Sequence, residues 1–157
     1  MSKATPATRA LEAARIAFTP RPYDYDPGDQ RVGLQAAAAV GEPAHLVLKT
    51  LVAMADGKPV CLVLPSDREV SLKKVAAALS AKSAAMAPPA DAERITGYRI
   101  GGVSPFGQKR RLPTLFEISA LDNAYVLING GQRGLLLQLA PADAVQAAGA
   151  TTAAIIA

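Results

Sequence analysis

Cysteine and histidine are nearly missing from this chain: Cys61 and His45 are the only ones in 157 residues. A lone cysteine excludes an internal disulfide and a thiolate metal cluster. A lone histidine leaves little material for a zinc site, so no metal and no other cofactor is expected. Nor does any uncharged apolar run approach the ~20 residues that span a bilayer. The first residues, MSKATPATRALEAARIAF, lack the apolar segment and cleavage site of a secretory signal. A soluble cytoplasmic protein with no membrane partner is the expectation. No Ser-His-Asp or Cys-His arrangement can be assembled around His45, which reads as the end of a loop. Cys61 lies in an apolar stretch and reads as core rather than nucleophile. Any catalysis must then rest on positioning and electrostatics.

Half the residues are apolar, enough for a respectable core, and the length suits one domain over residues 1–157. The net charge of +4 is modest, so its meaning depends on clustering. Lys73, Lys74 and Lys82 lie on or near one helical segment, while Lys109, Arg110, Arg111 and Arg133 occupy glycine-rich stretches. If they meet in space they form a phosphate-binding surface; if not, they are dispersed solubilising charge.

Thr5-Pro6 is an N-cap followed by a first-turn proline, and Leu11, Ala14 and Phe18 continue an amphipathic helix that ends near Ile16. The proline-rich 19–29 stretch passes from extended chain into a loop, and LQAAAAV forms a short helix closed by Gly41. The runs HLVLKTLVAM and PVCLVLP flank an Asp-Gly turn, which predicts a hairpin; both strands are apolar on both faces, as in a sheet covered on two sides. Ser71 caps the helix LKKVAAALSAK. A short helix DAERITG stops at Gly97, and YRI predicts a small strand. Further on, TLFEI predicts a strand, AYVLI and LLLQL a second hairpin around NGGQRG, and a helix begins near Pro141 to Asp143. The fold class is mixed α/β (α+β), with a largely antiparallel sheet flanked by helices.

Lys49 is the most informative single residue. The period of two puts Val47, Lys49 and Leu51 on one face, setting an ammonium among aliphatic neighbours. Burying a lone cation costs several kcal/mol unless it is paired or faces a wet cavity, so a pocket is implied. The alternative is a stem lying along the strand with its head in solvent. Gly102 to Gly107 has the glycine spacing of a phosphate-binding P-loop, but Gln108 follows where a lysine should, and Pro113 opposes a continuing helix. What remains is Gly101 and Gly102, whose amides can approach a ligand closely, beside Ser104 and the cations Lys109 to Arg111. Gly130, Gly131 and Gly134 frame Arg133 at a hairpin end. Tyr23 and Tyr25 can stack on a base or close the core. Asp24, Asp26 and Asp29, set among proline and glycine, read as an acidic turn rather than a cation site.

The blocks LKTLVA, SLKKVAAAL, TGYRIGGVSPFGQKRRLPT and NGGQRGL, in that order, are where the sequence resembles the bacterial YbaK/EbsC family, free-standing Cys-tRNA(Pro) deacylases related to the editing domain of prolyl-tRNA synthetase. The resemblance implies a mixed sheet flanked by helices, with an open pocket for the aminoacylated 3′ end of tRNA and prolyl-tRNA synthetase as a possible partner. It also implies a mechanism without a protein nucleophile, in which the substrate thiol attacks its own ester and leaves as a thiolactone. On this chain Lys49 matches the functional lysine that holds the terminal adenosine phosphate or polarises the ester. Tyr23 matches a pocket tyrosine, and Gly101 and Gly102 match glycines whose backbone lines the reacting centre. Gly131 and Ser104 are further pocket candidates. The cations Lys73, Lys74, Lys109, Arg110, Arg111 and Arg133 are the candidates for tRNA backbone. Two pocket positions depart from the family's pattern: Val32 stands where relatives tend to carry an aromatic residue, and Leu136 where the best-studied type carries aspartate. They leave the enzyme class in place and open one alternative, editing of another small amino acid, alanine or serine, by water attack. A separate alternative, from another class, is a module that binds tRNA or a synthetase without chemistry.

Overall fold

The computed structural model describes residues 4–29 and 31–157. In chain order its elements are α1 (Pro6–Ala13), β1 (Thr19–Pro22), α2 (Val32–Val40), β2 (Val47–Ala55), β3 (Lys58–Pro65), α3 (Leu72–Ala78), β4 (Ala84–Met86) and α4 (Pro89–Thr96). Then follow β5 (Thr114–Glu117), β6 (Val126–Asn129), β7 (Leu135–Leu139), α5 (Pro141–Ala148) and β8 (Thr151–Ala153). The strands form one sheet in the order β1-β7-β6-β2-β3-β5-β8, with β4 also paired to β2.

Local chemistry accounts for most of these boundaries. Thr5 caps α1 through a reciprocal pair with Thr8, and its hydroxyl donates to the Gly130 carbonyl at 2.6 Å, pinning the helix to the β6–β7 turn. The Asp56-Gly57 turn has positive φ at both residues, 49° and 78°, as the right-handed twist of a two-residue hairpin demands. Gly41 and Gly97 end α2 and α4 in the left-handed conformation. Pro20 and Pro22 lack the N–H a central strand needs, and β1 accordingly stands at the sheet edge beside β7.

The sheet is apolar on both faces, as the two hairpin strands require. Cys61 and Val63 of β3 pack with Leu48, Phe106, Phe116 and Leu137 on one side, while Val60, Leu62 and Leu64 pack with Val75, Leu115 and Ile155 on the other. A third cluster, Ala36, Ala37, Val47, Leu127 and Leu136, seats α2 on the sheet.

The sheet is mixed and largely antiparallel, as the sequence leads one to expect: β1–β7, β2–β3, β2–β4 and β6–β7 are antiparallel, and the shorter pairings β2–β6, β3–β5 and β5–β8 are parallel. More local expectations are corrected. Residues 98–100 form no strand, because Tyr98 turns inward and donates its hydroxyl to the Phe106 carbonyl at 2.6 Å. The helices α1 and α3 stop at Ala13 and Ala78, short of the expected ends. The strands β4 and β8, three residues each, carry too little pattern to be read from sequence.

Glu117 is a charged group in the interior, 2% exposed. Its carboxylate accepts from the Ser119 amide at 2.9 Å, the Ser119 hydroxyl, and the Ile155 amide at 2.8 Å, tying the segment after β8 to the end of β5. Burial works to raise its pKa, but the donors outweigh burial and the pKa is lowered from the usual value. A carboxylate depressed in the folded state adds stability that is present above the ordinary glutamate range and is lost as pH falls through the folded value. Glu117→Gln, which turns one acceptor into a donor facing other donors, is expected to cost about 2 kcal/mol at neutral pH. It should also flatten the acid limb of a stability–pH curve. A variant whose acid limb matches wild type excludes this role.

Candidate functional site

The central strand β2 has β3 along one edge, but its other edge is shared. β6 pairs with it at Val47 and Leu48, and β4 only from Ala53 onward. Among the described residues, no strand pairs with that edge from Lys49 to Val52. A cavity of about 380 Å³ opens at this gap, and because it meets the strand at its edge it is lined from both faces: by Val47, Lys49 and Leu51, and by Leu48 and Thr50.

Lys49 is half-buried in this wall. No carboxylate of the described residues lies within ion-pairing distance of its ammonium. The cavity's other charged residues are Arg31, already paired with Asp29 at 3.2 Å, and the exposed Glu69. The apolar part of the wall comes from Val32, Ala36, Val47 and Leu136. Two hydroxyls on the lining, Tyr23 Oη and Thr50 Oγ1, are buried without a hydrogen-bond partner among the described residues. Burial pushes the Tyr23 phenol above its usual pKa, so it remains a neutral donor. Unpaired buried hydroxyls cost on the order of 1–3 kcal/mol each, a cost that a polar ligand removes.

Gly101 reaches the cavity from the loop after α4. Its φ of +90° suits only glycine, and a Cβ there would stand 2.8 Å from Tyr25 Oη. Its carbonyl accepts from Asn129 Nδ2 at 2.9 Å; among the described residues nothing accepts from its N–H.

The stretch 101–114 is split by the tertiary structure. Gly102 uses its amide on the Arg99 carbonyl at 2.8 Å and packs against the backbone of Gln132 and Arg133. Ser104 is fully buried and bonds within its own loop to Phe106 and Gln108, so its hydroxyl faces away from the cavity. Lys109 lies against Gly97, and the Arg111 guanidinium lies beside Gly149 at the end of α5. Arg110 is exposed between them. Gly131 packs against Tyr98 and α1 rather than lining the cavity.

The remaining cations do not converge either. Lys73 and Lys74 are exposed on α3, where Lys74 donates to the Ile156 carbonyl at 2.8 Å and Lys73 shares a shallow groove with Lys82. Of these candidates Arg133 is the one bonded to a residue of the cavity lining: its Nε donates to the Ile100 carbonyl at 2.8 Å, and its guanidinium lies 5.2 Å from the Tyr25 ring centre.

Of the other residues weighed in the sequence, His45 is exposed in a short turn before β2. Cys61 is fully buried, and burial pushes its thiol up to about 12, which disqualifies it as a nucleophile at neutral pH. Asp26 accepts the Gly28 amide and Asp29 the Arg31 amide, each at 2.9 Å, the bonding of an acidic turn. Sequence reading missed Thr50, Ser66, Asn129 and the rim residues Leu34 and Ile100. The one local signal was Gly33, whose missing Cβ lets α2 press onto Ser66.

Comparison with known proteins gives the family and the fold. The sequence profile of the aminoacyl-tRNA editing domain matches residues 33–147. The chain is 31% identical over 139 residues to an Enterococcus faecalis protein named as the Cys-tRNA(Pro)/Cys-tRNA(Cys) deacylase EbsC, covering 87% of this chain and 84% of that one. It is also 36% identical over 103 residues to the proline–tRNA ligase of Nitratidesulfovibrio vulgaris, covering 66% of this chain and 17% of the ligase. A solved structure described as a trans-editing enzyme for prolyl-tRNA synthetase superposes with a TM-score of 0.82 at 24% identity, over 99% of both chains, and shares the fold.

Proposed function

The chain belongs to the aminoacyl-tRNA editing domain family, and from that premise we propose that this deacylase clears cysteine from mischarged tRNA(Pro), acting in trans in the cytoplasm. The observation that carries the reading is Lys49: an ammonium without a carboxylate partner, set in a cavity at an unpaired stretch of the central strand. A site with that charge and, among the described residues, no thiol and no hydroxyl hydrogen-bonded to a base on its lining suits a substrate that brings both an anion and its own nucleophile.

The terminal phosphate or the ester oxygen of an aminoacylated tRNA would occupy the Lys49 end, with the Gly101 N–H beside it. The substrate thiol attacks its own ester carbonyl; a C–S bond forms and the ester C–O bond breaks. The tRNA hydroxyl leaves with the proton the thiol gave up, and the amino acid departs as a thiolactone. As negative charge gathers on the carbonyl oxygen, a preorganised donor such as the Gly101 amide is worth about 3 kcal/mol. The matched proline–tRNA ligases support tRNA(Pro), and prolyl-tRNA synthetase, as the partners.

A second reading is favoured by the apolar Leu136 wall and the two unpartnered hydroxyls of Tyr23 and Thr50: alanine or serine fits the same cavity, with water as nucleophile. Deacylation of tRNA(Pro) charged with cysteine, alanine or serine separates the two. Cyclisation predicts that cysteine is released at least ~10-fold faster than the others, about 1.4 kcal/mol in barrier, and that blocking the thiol abolishes release. Equal rates for all three, or release from thiol-blocked substrate, would exclude cyclisation. Salt-sensitive tRNA binding without turnover of any of them would leave only a binding module.

A further inference from the structure

The β6–β7 turn faces the Gly101 loop, and two of its side chains are spent on that loop's backbone. Arg133 Nε donates to the Ile100 carbonyl at 2.8 Å, and Asn129 Nδ2 donates to the Gly101 carbonyl at 2.9 Å. A peptide group is planar and trans, so its C=O and N–H point in opposite directions. Fixing the Ile100 oxygen therefore fixes the Gly101 N–H, which belongs to the same peptide. Fixing the Gly101 oxygen does the same for Gly102 N–H, and that group is held in turn by the Arg99 carbonyl.

Each side chain makes a further contact, although Arg133 is exposed. Asn129 is 9% exposed, and its Oδ1 accepts the Gly131 amide at 2.8 Å, so both ends of the carboxamide are engaged. Arg133 is held over Tyr25. With the Ile100 amide donating to Glu93 Oε2 at 2.8 Å, four hydrogen bonds thus hold residues 100–102, and of their three amides that of the cavity-lining Gly101 is the one without a partner among the described residues.

We propose that Arg133 and Asn129 are positioning residues, which clamp the peptides on either side of Gly101 so that its N–H is held ready for the oxygen of the reacting ester. This rests on the deacylase reading of the site. It gives Arg133 a task different from the phosphate contact its charge suggests, and gives Asn129, itself on the cavity lining, a task at the Gly101 peptide.

Arg133→Lys separates the two tasks, because lysine keeps the charge but has no Nε in a rigid fork. Clamping predicts a kcat loss on the order of 10- to 100-fold, with KM and the salt dependence of tRNA binding unchanged. A phosphate contact predicts near-normal kcat, and that result overturns the proposal for Arg133. Asn129→Asp keeps the acceptor for Gly131 but at neutral pH sets a carboxylate against the Gly101 carbonyl. It is expected to lose kcat on the same scale and to regain it, relative to wild type, as acidification protonates the new carboxyl into a donor. A variant that follows the wild-type pH profile at full rate overturns the role of Asn129. Amide spectra of 15N-labelled protein check the geometry without turnover: the Gly101 and Gly102 resonances should move in both variants, and unmoved resonances refute the clamp. Wild-type protein inert on every charged tRNA would instead overturn the deacylase reading and, with it, the catalytic purpose of the clamp.

Discussion

Lys49→Ala lowers the deacylation rate by on the order of 100-fold or more while the protein stays folded. The expectation follows from where the charge sits. The ammonium stands on a cavity wall that includes Val32, Ala36, Val47 and Leu136, and no carboxylate of the described residues lies within ion-pairing distance of it. Bulk water does not fully screen it there, so its attraction for a phosphate or a developing oxyanion exceeds that of a surface lysine. Removing one such electrostatic contact costs about 3 kcal/mol of transition-state stabilisation, or roughly 100-fold. Stability should change little, because the side chain is only half-buried and forms no ion pair whose loss would strand a partner. Lys49→Met sharpens the measurement: it keeps the length of the stem and removes only the charge. Both variants should be impaired alike in single-turnover deacylation and unfold at close to the wild-type temperature. Full activity in Lys49→Met would show that the cavity needs the stem rather than the ammonium, and the electrostatic assignment would fall.

Gly107→Ala carries the largest expected loss of stability. The residue has φ +64°, and a Cβ there would run into the Pro6 carbonyl, whose carbon would stand 2.7 Å away, with the Ala7 amide at 3.2 Å. These are backbone atoms, so relief requires moving α1, which buries Ala7 and Leu11 completely and is pinned by Thr5 to the Gly130 carbonyl. Left-handed conformation costs about 1 kcal/mol for alanine, and overpacking adds roughly 1–3 kcal/mol. A total near 3 kcal/mol is a large part of the 5–15 kcal/mol that holds a typical domain folded, and lowers its melting temperature by about 6–12 °C. Gly41→Ala is the matched comparison: φ is +73°, but nothing lies within 4 Å of the added carbon, so only the conformational cost should appear. If the two variants melt together, the contact with α1 is not what requires glycine at position 107.

That result bears on how the stretch GGVSPFGQKRRLPT is understood. Its glycines and cations suggest one anion-binding loop, yet each glycine answers to a different neighbour. Gly101 stands at the cavity against Tyr25, Gly102 against the β6–β7 turn and Gly107 against α1. The cations follow the chain away from the cavity, with Arg111 ending beside Gly149. If they meet tRNA at all, they do so outside the reacting centre.

What the sequence determined by itself is local. The Asp56-Gly57 turn, the caps at Thr5 and Ser71, the glycine stops at Gly41 and Gly97, and the placing of Lys49 on the face of Val47 and Leu51 all follow from periodicity and from conformations few residues can adopt. The ordered blocks around Lys49, Gly101 and Gly131 were enough to indicate the family. The tertiary structure alone decided that β6 leaves β2 after Leu48 and β4 does not join it until Ala53, the gap that becomes the cavity. It also brought Asn129 and Arg133 onto the Gly101 loop, 28 and 33 residues from the carbonyls they hold. The reason is physical: a strand's pattern records which face is buried but not which edge is paired. Which edge is paired depends on backbone groups that every residue shares.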